Sequence, residues 1–237
     1  MKSFGKLYLI PTTMGESDPM DVLPQTVRRT IEVIDHYIVE NDKTARKSIK
    51  AVYPEKKQSE LVLFTLNKRT EPSEHLDFIK PLLEGKNMGL MSEAGCPGVA
   101  DPGADIVAEA HKRGIKVIPL VGPSSILLGL MASGFNGQNF SFKGYLPIDK
   151  ADRTRSIKEL EHLSQKEKST QIFIETPFRN NQMLAELLKS CKPQTKLCVA
   201  CNVTAADEYI RTQTIEEWKK TTIDLHKKPC IFLLFAS

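Results

Sequence analysis

Aromatic residues are scarce in this chain: Phe, Trp and Tyr make up 7% of 237 residues, with a single Trp. A stacking platform for single-stranded bases needs several rings, and only Tyr53 and Phe64 lie near the most basic stretch. Neither sign of charge dominates, since 33 Lys and Arg against 29 Asp and Glu leave +4. Such a balance permits contact with a polyanion but does not require it. Five cysteines at irregular spacing exclude a disulfide framework and point to a reducing compartment, the cytoplasm. Cys198-x-x-Cys201 has no second pair to complete a zinc site, and its apolar setting reads as two buried thiols. The five histidines are scattered without ligand spacing, so no metal is expected. The glycine patterns of dinucleotide and P-loop sites are absent, as is the G-x-S-x-G of serine hydrolases. Residues 117–135 hold no charge, but Pro119, Gly122 and Pro123 break the run, so no membrane span is expected. The apolar run over 7–10 is too short for an export signal.

What remains is an ordinary globular composition, 41% hydrophobic and 26% charged, with enough chain for a large core. The first half alternates strand and helix patterns. Strands are expected over 6–10, 37–40, 60–65, 87–91 and 116–120, with helices over 24–33, 44–52, 71–83 and 104–113 between them. This alternation implies a mostly parallel sheet covered on both faces. The pattern changes near residue 120. A helix to Ser133 precedes strands over 140–146, 171–175, 196–203, 208–214 and 230–235, with helices over 153–163, 180–190 and 215–220. The close succession of 196–203 and 208–214 predicts an antiparallel pair and hence a mixed sheet. Two α/β domains are expected, over 1–120 and 121–237.

The densest signal follows the strand at 87–91. Residues 92–103 read Ser-Glu-Ala-Gly-Cys-Pro-Gly-Val-Ala-Asp-Pro-Gly, with three glycines, two prolines and two carboxylates, Glu93 and Asp101. Such a loop turns tightly and lets backbone approach a ligand, and ligands of α/β folds gather at strand carboxyl ends. A second cluster, Glu40-Asn41-Asp42-Lys43-Thr44-Ala45-Arg46-Lys47, ends the second strand. A carboxylate beside two cations could hold a polar or phosphate-bearing substrate, or mark a solvated helix start capped by Asn41 or Asp42. Basic residues gather over 43–57 and 150–168, the second with acidic residues interspersed as on an exposed helix.

The 92–103 string resembles the SDAGTPxxSDPG signature of the tetrapyrrole methylase superfamily, the class III S-adenosylmethionine (SAM) methyltransferases. It is most similar to the branch that 2′-O-methylates a cytidine of small-subunit ribosomal RNA. Leu7 to Gly15 resembles that branch's first strand and loop, Val121-Gly122-Pro123-Ser124-Ser125 its PGPSA turn, and Ile174 to Arg179 its YESPHR. The resemblance implies two α/β domains with the ligand in the interdomain cleft, SAM as cofactor and a homodimer. It implies Met14, Gly15, Ala94, Gly95, Cys96 and Val99 as cofactor contacts. Ser124 and Ser125 would meet the amino-acid part, and Glu175, Val203 and Pro229 the adenosine. Related sequences read EDTRxTRK at 40–47, which Glu40, Arg46 and Lys47 fit and Asn41, Asp42, Lys43 and Thr44 do not. The branch carries a further small helical region after its last strand, which this sequence, ending at Ser237, does not contain.

A ribose hydroxyl as acceptor calls for a base, for which Glu93 is the first candidate and Glu40 or Asp101 the next. Arg46, Lys47 and Asp101 are the expected substrate contacts, with ribosomal RNA as the expected partner. Methylation of a tetrapyrrole-like small molecule or of a protein residue stays open. So does SAM or RNA binding without turnover.

Overall fold

Strands with apolar residues on both sides need cover on both faces. The computed structural model, which describes residues 4–67 and 70–236, shows such a sheet in the first of two units, Met1–Ser124. Strands β1 (Lys6–Ile10), β2 (His36–Val39), β3 (Val62–Thr65), β4 (Met88–Met91) and β5 (Lys116–Pro119) run parallel in the order β3-β2-β4-β1-β5. Helices α1 (Pro19–Val22), α2 (Gln25–Val33) and α3 (Asp42–Val52) follow β1 and β2. On that face Val27, Ile31, Ala45, Ile49 and Val52 pack with Ile10, Tyr37, Val39 and Met91. Helices α4 (His75–Leu83) and α5 (Ala104–Lys112) follow β3 and β4. They bring Phe78, Ile79, Leu82, Ile106 and Ala110 against Leu7, Ile38, Met88 and Leu90 on the other face. The alternation of Leu7 with Ile10 and of Leu90 with Met91 is the two-residue period of a strand seen from both sides. Gly89 is required sterically, because a Cβ there would lie 2.7 Å from the buried Tyr37 ring.

The second unit, Ser125–Ser237, holds α6 (Ser125–Ser133), β6 (Phe140–Tyr145), α7 (Lys150–Glu167), β7 (Thr170–Ile174) and α8 (Asn180–Ser190). It continues with β8 (Lys196–Cys201), β9 (Tyr209–Thr214), α9 (Ile215–Trp218) and β10 (Cys230–Phe235). Its sheet is mixed, in the order β6-β7-β10-β8-β9: β6 and β7 are parallel, the other neighbours antiparallel. Ile157, Leu160, Met183, Leu187, Ile215 and Trp218 cover one face over Phe173, Leu197, Val199 and Phe232. The Trp218 indole N–H donates to Leu197 O at 2.8 Å, which satisfies a fully buried polar tip. On the opposite face α6 comes close enough that a Cβ on Gly129 would stand 3.1 Å from Ile231.

Several elements differ from the sequence reading at their ends. Helix α7 begins at Lys150, three residues before the expected start, because Asp149 caps it by accepting from the Ala151 and Asp152 N–H groups. Strand β8 stops at Cys201, two residues short of expectation, since Asn202 (φ 50°) and Thr204 (φ 73°) turn left-handed. A 3₁₀ turn at Gln58–Glu60 delays β3 to Val62. No helix among the described residues is long and apolar enough to cross a membrane.

Candidate functional site

The strand order fixes where the first unit can bind a ligand. From β1 the chain moves one way along the sheet, to β2 and β3, with α2 and α3 on one face. From β3 it returns through β4 to β5, with α4 and α5 on the other. The loops after the adjacent strands β1 and β4 therefore diverge to opposite faces, and such a switch point leaves a crevice at the strand ends. Both loops are the ones singled out by sequence.

They are stitched together at their base. The Thr12 N–H donates to Gly95 O at 2.9 Å, and the Thr12 hydroxyl donates to Ser92 O at 3.4 Å. Gly95 holds φ 72°, a region that costs other residues about 1–2 kcal/mol. The loop after β5 closes on the same place. A Cβ on Gly122 would overlap Pro11 at 2.2 Å, and the Cys96 thiol donates to Pro123 O at 3.3 Å. Burial pushes that thiol above its usual range, so Cys96 is a packing group, not a nucleophile. Gly95 is buried, Met14, Cys96 and Ser124 half-buried, and Gly15, Ala94 and Val99 exposed.

Three carboxylates converge here. Glu40, just beyond β2, accepts the Glu93 N–H at 3.2 Å, and the Thr44 hydroxyl donates to Glu93 Oε1 at 3.1 Å. Burial holds the Glu40 carboxyl above the usual range, and the Asp101 and Glu93 charges push the same way. Burial also raises Asp101, with Glu93 adding to it and a Ser92 hydrogen bond opposing. The site thus concentrates negative potential beside Glu93, which is exposed.

Next to Glu93 opens a cavity of about 420 Å³, within the range of small-ligand pockets. Leu23, Ile31, Val52 and Met91 form its apolar lining, while Thr12, Ser17, Thr44, Lys47, Ser48 and Glu93 supply polar groups. The Ser17 hydroxyl is buried and has no hydrogen-bond partner. Leaving a buried hydroxyl unpaired is costly, and Ser17 is among the residues that line this cavity. The two expected substrate cations separate here. Lys47 lines the cavity, whereas Arg46 donates to Asp42 Oδ1 at 2.5 Å and Gln58 O at 2.6 Å, bracing α3. Asn41 caps α3 by accepting from the Lys43 and Thr44 N–H groups. Ser17 and Thr44 escaped the sequence reading; a hydroxyl carries no signal until its neighbours are known.

In the second unit, Glu175 follows β7 and is 5% exposed; it accepts from Arg179 at 2.6 and 3.0 Å and from the Thr176 N–H at 2.6 Å. This ion pair shapes the turn into α8. Val203 is buried in the left-handed loop after β8, and the exposed Pro229 accepts the Asn202 N–H at 2.9 Å. Two orphaned buried atoms lie beside these residues in the chain, Thr204 Oγ1 and Asn180 Oδ1. Ser125 opens α6 and is half-buried. Among the described residues no group of His, Cys, Asp and Glu could hold a metal ion.

Residues 6–219 match the sequence model of the family described as Tetrapyrrole (Corrin/Porphyrin) Methylases. A protein of Buchnera aphidicola subsp. Schizaphis graminum, named Ribosomal RNA small subunit methyltransferase I, is 27% identical over 97% of this chain and 78% of its own. The protein of that name from Thermotoga maritima is 30% identical over 78% of each chain. Among solved structures, the methyltransferase CobJ superposes with a TM-score of 0.65 at 18% identity, covering 98% of this chain and 95% of its own, a likeness of fold.

Proposed function

Because this chain belongs to the tetrapyrrole methylase family and is a SAM-dependent methyltransferase, we propose that it methylates a ribose 2′-hydroxyl of small-subunit ribosomal RNA. The names of its relatives support the RNA. The observation that carries an acceptor site is the cavity beside Glu93, with Thr44 and Lys47 on its wall.

The residues present fit the cofactor. Thr204 Oγ1 and Asn180 Oδ1 are buried polar atoms without partners, and Gly95 (φ 72°) lets the loop turn tightly against Met14 and Pro123. Met14, Gly15, Ala94, Gly95, Cys96, Val99 and Ser124 of the first unit, and Ser125, Glu175, Val203 and Pro229 of the second, are the positions we assign to it. Bound SAM supplies an electrophilic methyl group on a positively charged sulfur, so the chain's own task is alignment and exclusion of water. A ribose hydroxyl is a weak acid and gains from a positioned base. Glu93 lines the cavity with one oxygen fixed by Thr44, which suits it to accept that proton. Glu40 steadies the Glu93 backbone, and Asp101 adds to the local negative potential. Lys47 is placed to meet a phosphate of the acceptor strand.

The working form we propose is a cytoplasmic homodimer. Leu127 and Met131 stand 54% and 78% exposed on α6, apolar surface that a second copy would cover. Light scattering giving twice the chain mass supports this, and a monomer at micromolar concentration refutes it.

Radiolabelled SAM incubated with small ribosomal subunits from a strain lacking this gene tests the acceptor. Label on a ribose 2′-oxygen is the expected result. No label on RNA, with SAM still bound, refutes the RNA reading and turns the search to small-molecule or protein acceptors.

A further inference from the structure

The cysteine that faces Cys201 is not Cys198. Three positions apart on one strand, these two point to opposite faces and lie about 10 Å apart. The partner of Cys201 is Cys230, directly opposite in the antiparallel pairing of β8 with β10. The Asn202 N–H donates to Pro229 O at 2.9 Å, so 202 and 229 form a hydrogen-bonded pair. The next pair, 201 and 230, is then of the non-hydrogen-bonded kind, whose Cα atoms stand about 4.5 Å apart. A disulfide needs a Cα separation of about 4.4–6.8 Å, so the backbone already has the required spacing. Both thiols are free, and both belong to the same core cluster. The Cys230 S–H has two acceptors in reach, Lys228 O at 3.4 Å and the Cys201 sulfur.

From this register we propose that Cys201 and Cys230 form a reversible two-electron oxidation site for a peroxide, closing a cross-strand disulfide. The Cys201 thiolate attacks one peroxide oxygen: an S–O bond forms, the O–O bond breaks, and the departing hydroxide takes up a proton as water. Cys230 sulfur then attacks Cys201 sulfur; the S–S bond forms, the S–O bond breaks, and hydroxide leaves with the Cys230 proton as water. Two thiols and one peroxide become a disulfide and two waters. The Cys230 S–H and the Lys228 cation favour the Cys201 thiolate against the opposing cost of burial, and they hold its thiol below the usual range. Cys230 is pushed the other way, chiefly by the same hydrogen bond and by burial.

The pair lies at the ends of two inner strands, β8 and β10, and is itself buried, Cys201 2% and Cys230 8% exposed. Exposed Ala206, Asp207 and Pro229 flank it along the chain. A disulfide there would pin the base of the loop over 202–208, which includes Val203. An effect on cofactor affinity rests on the reading that Val203 and Pro229 border SAM; the oxidation itself does not.

The test exposes reduced protein to hydrogen peroxide, alkylates the remaining thiols after unfolding, and maps the peptides. Expected is a Cys201–Cys230 linked peptide, reversed by dithiothreitol, with Cys96, Cys191 and Cys198 still alkylated. Cys201→Ser and Cys230→Ser should each abolish it, and the wild-type map alone decides if either variant fails to fold. Five alkylated thiols, a link to Cys198, or irreversible oxidation of Cys201 with Cys230 free would each overturn the proposal. Oxidised wild type should bind SAM at least threefold more weakly, and Cys230→Ser treated alike should be unchanged. A linked protein with unaltered affinity overturns the effect on the loop, and reduced protein that fails to bind SAM overturns the cofactor reading instead.

Discussion

Gly95 and Gly114 share almost the same backbone conformation, φ 72° and 70°, yet only Gly95 lies in the signature loop. Alanine at either must adopt a left-handed conformation costing about 1–2 kcal/mol. Restricting the unfolded chain returns about 0.4–1 kcal/mol. The net loss is then about 1 kcal/mol for each variant. At Gly114 the new methyl would meet nothing within 4 Å, and at Gly95 it would stand 3.4 Å from Pro123 O and 3.7 Å from Met14 Cγ, ordinary contacts. Neither site adds a clash, so both variants should melt about 2–4 °C below wild type. Affinity for SAM should separate them. A methyl group on backbone that a ligand approaches closely displaces it, and a tenfold weakening needs only about 1.4 kcal/mol. Gly95→Ala should therefore bind SAM at least tenfold more weakly in calorimetric titration, while Gly114→Ala binds as wild type. Equal affinities in the two variants would refute the placement of the cofactor against this loop. A fall of more than about 3 kcal/mol in Gly95→Ala alone would instead refute the assumption that the loop absorbs a methyl.

Glu40 has a folded-state pKa above its unfolded value, so between the two the native state holds more protons and stability falls as pH rises through that window. Glu40→Gln keeps the acceptor for the Glu93 N–H and should raise the melting temperature at neutral pH, with the gain vanishing below about pH 4; no gain at neutral pH would refute the burial argument. Charge reversal at Lys47 should weaken the ribosomal-subunit substrate and flatten its salt dependence without lowering the melting temperature. Reversal at Arg46, which braces α3 through Asp42 and Gln58, should destabilise instead; identical behaviour of the two would remove the distinction. Glu161 is 6% exposed and accepts from the Lys192 N–H at 2.7 Å and the Thr195 hydroxyl at 2.5 Å. Glu161→Ala should cost about 1–3 kcal/mol in denaturant unfolding, with Glu161→Gln losing less.

The regular elements were legible because both faces of the first sheet are apolar and the loops between strands are rich in Gly and Pro. The parallel order follows from alternation, since a helix between two strands returns the chain to the same end. What escaped were boundaries set by single side chains. Asp149 starts α7 about two turns before its first buried apolar residue, Ile157, and left-handed Asn202 ends β8 against its own apolar run. Cys198 and Cys201 are the two buried thiols that their apolar setting predicted, but their spacing does not reveal that Cys230 stands opposite Cys201. Sequence separation along a strand says nothing about the residue opposite, and Cys230 lies 29 positions away from Cys201. The orphaned hydroxyls of Ser17 and Thr204 could not be found at all, because being without a partner is a property of surroundings.

Residues 40–47, which we assign to the acceptor, depart from the EDTRxTRK pattern, and most of the departures have partners. Asn41 caps α3, Asp42 takes the Arg46 guanidinium, and Thr44 holds the Glu93 carboxylate. Three of the four substituted residues hold a side-chain partner within their own unit. The consequence lies with charge. With Arg46 committed to Asp42 and Gln58, Lys47 is the cation of the 40–47 segment that lines the cavity, together with Thr44 and Glu93. One flexible ammonium recognises a phosphate as a point charge, without the fork that a guanidinium would present. If the acceptor enters this cavity as we propose, discrimination among acceptors comes from the cavity's shape and from Thr44 and Ser48 on its wall. The loops to which we assign the cofactor, by contrast, depend on backbone: Gly95, Gly122 and the Thr12–Gly95 hydrogen bond. Backbone geometry tolerates little change, which is why that half of the site is the half most readable in the sequence.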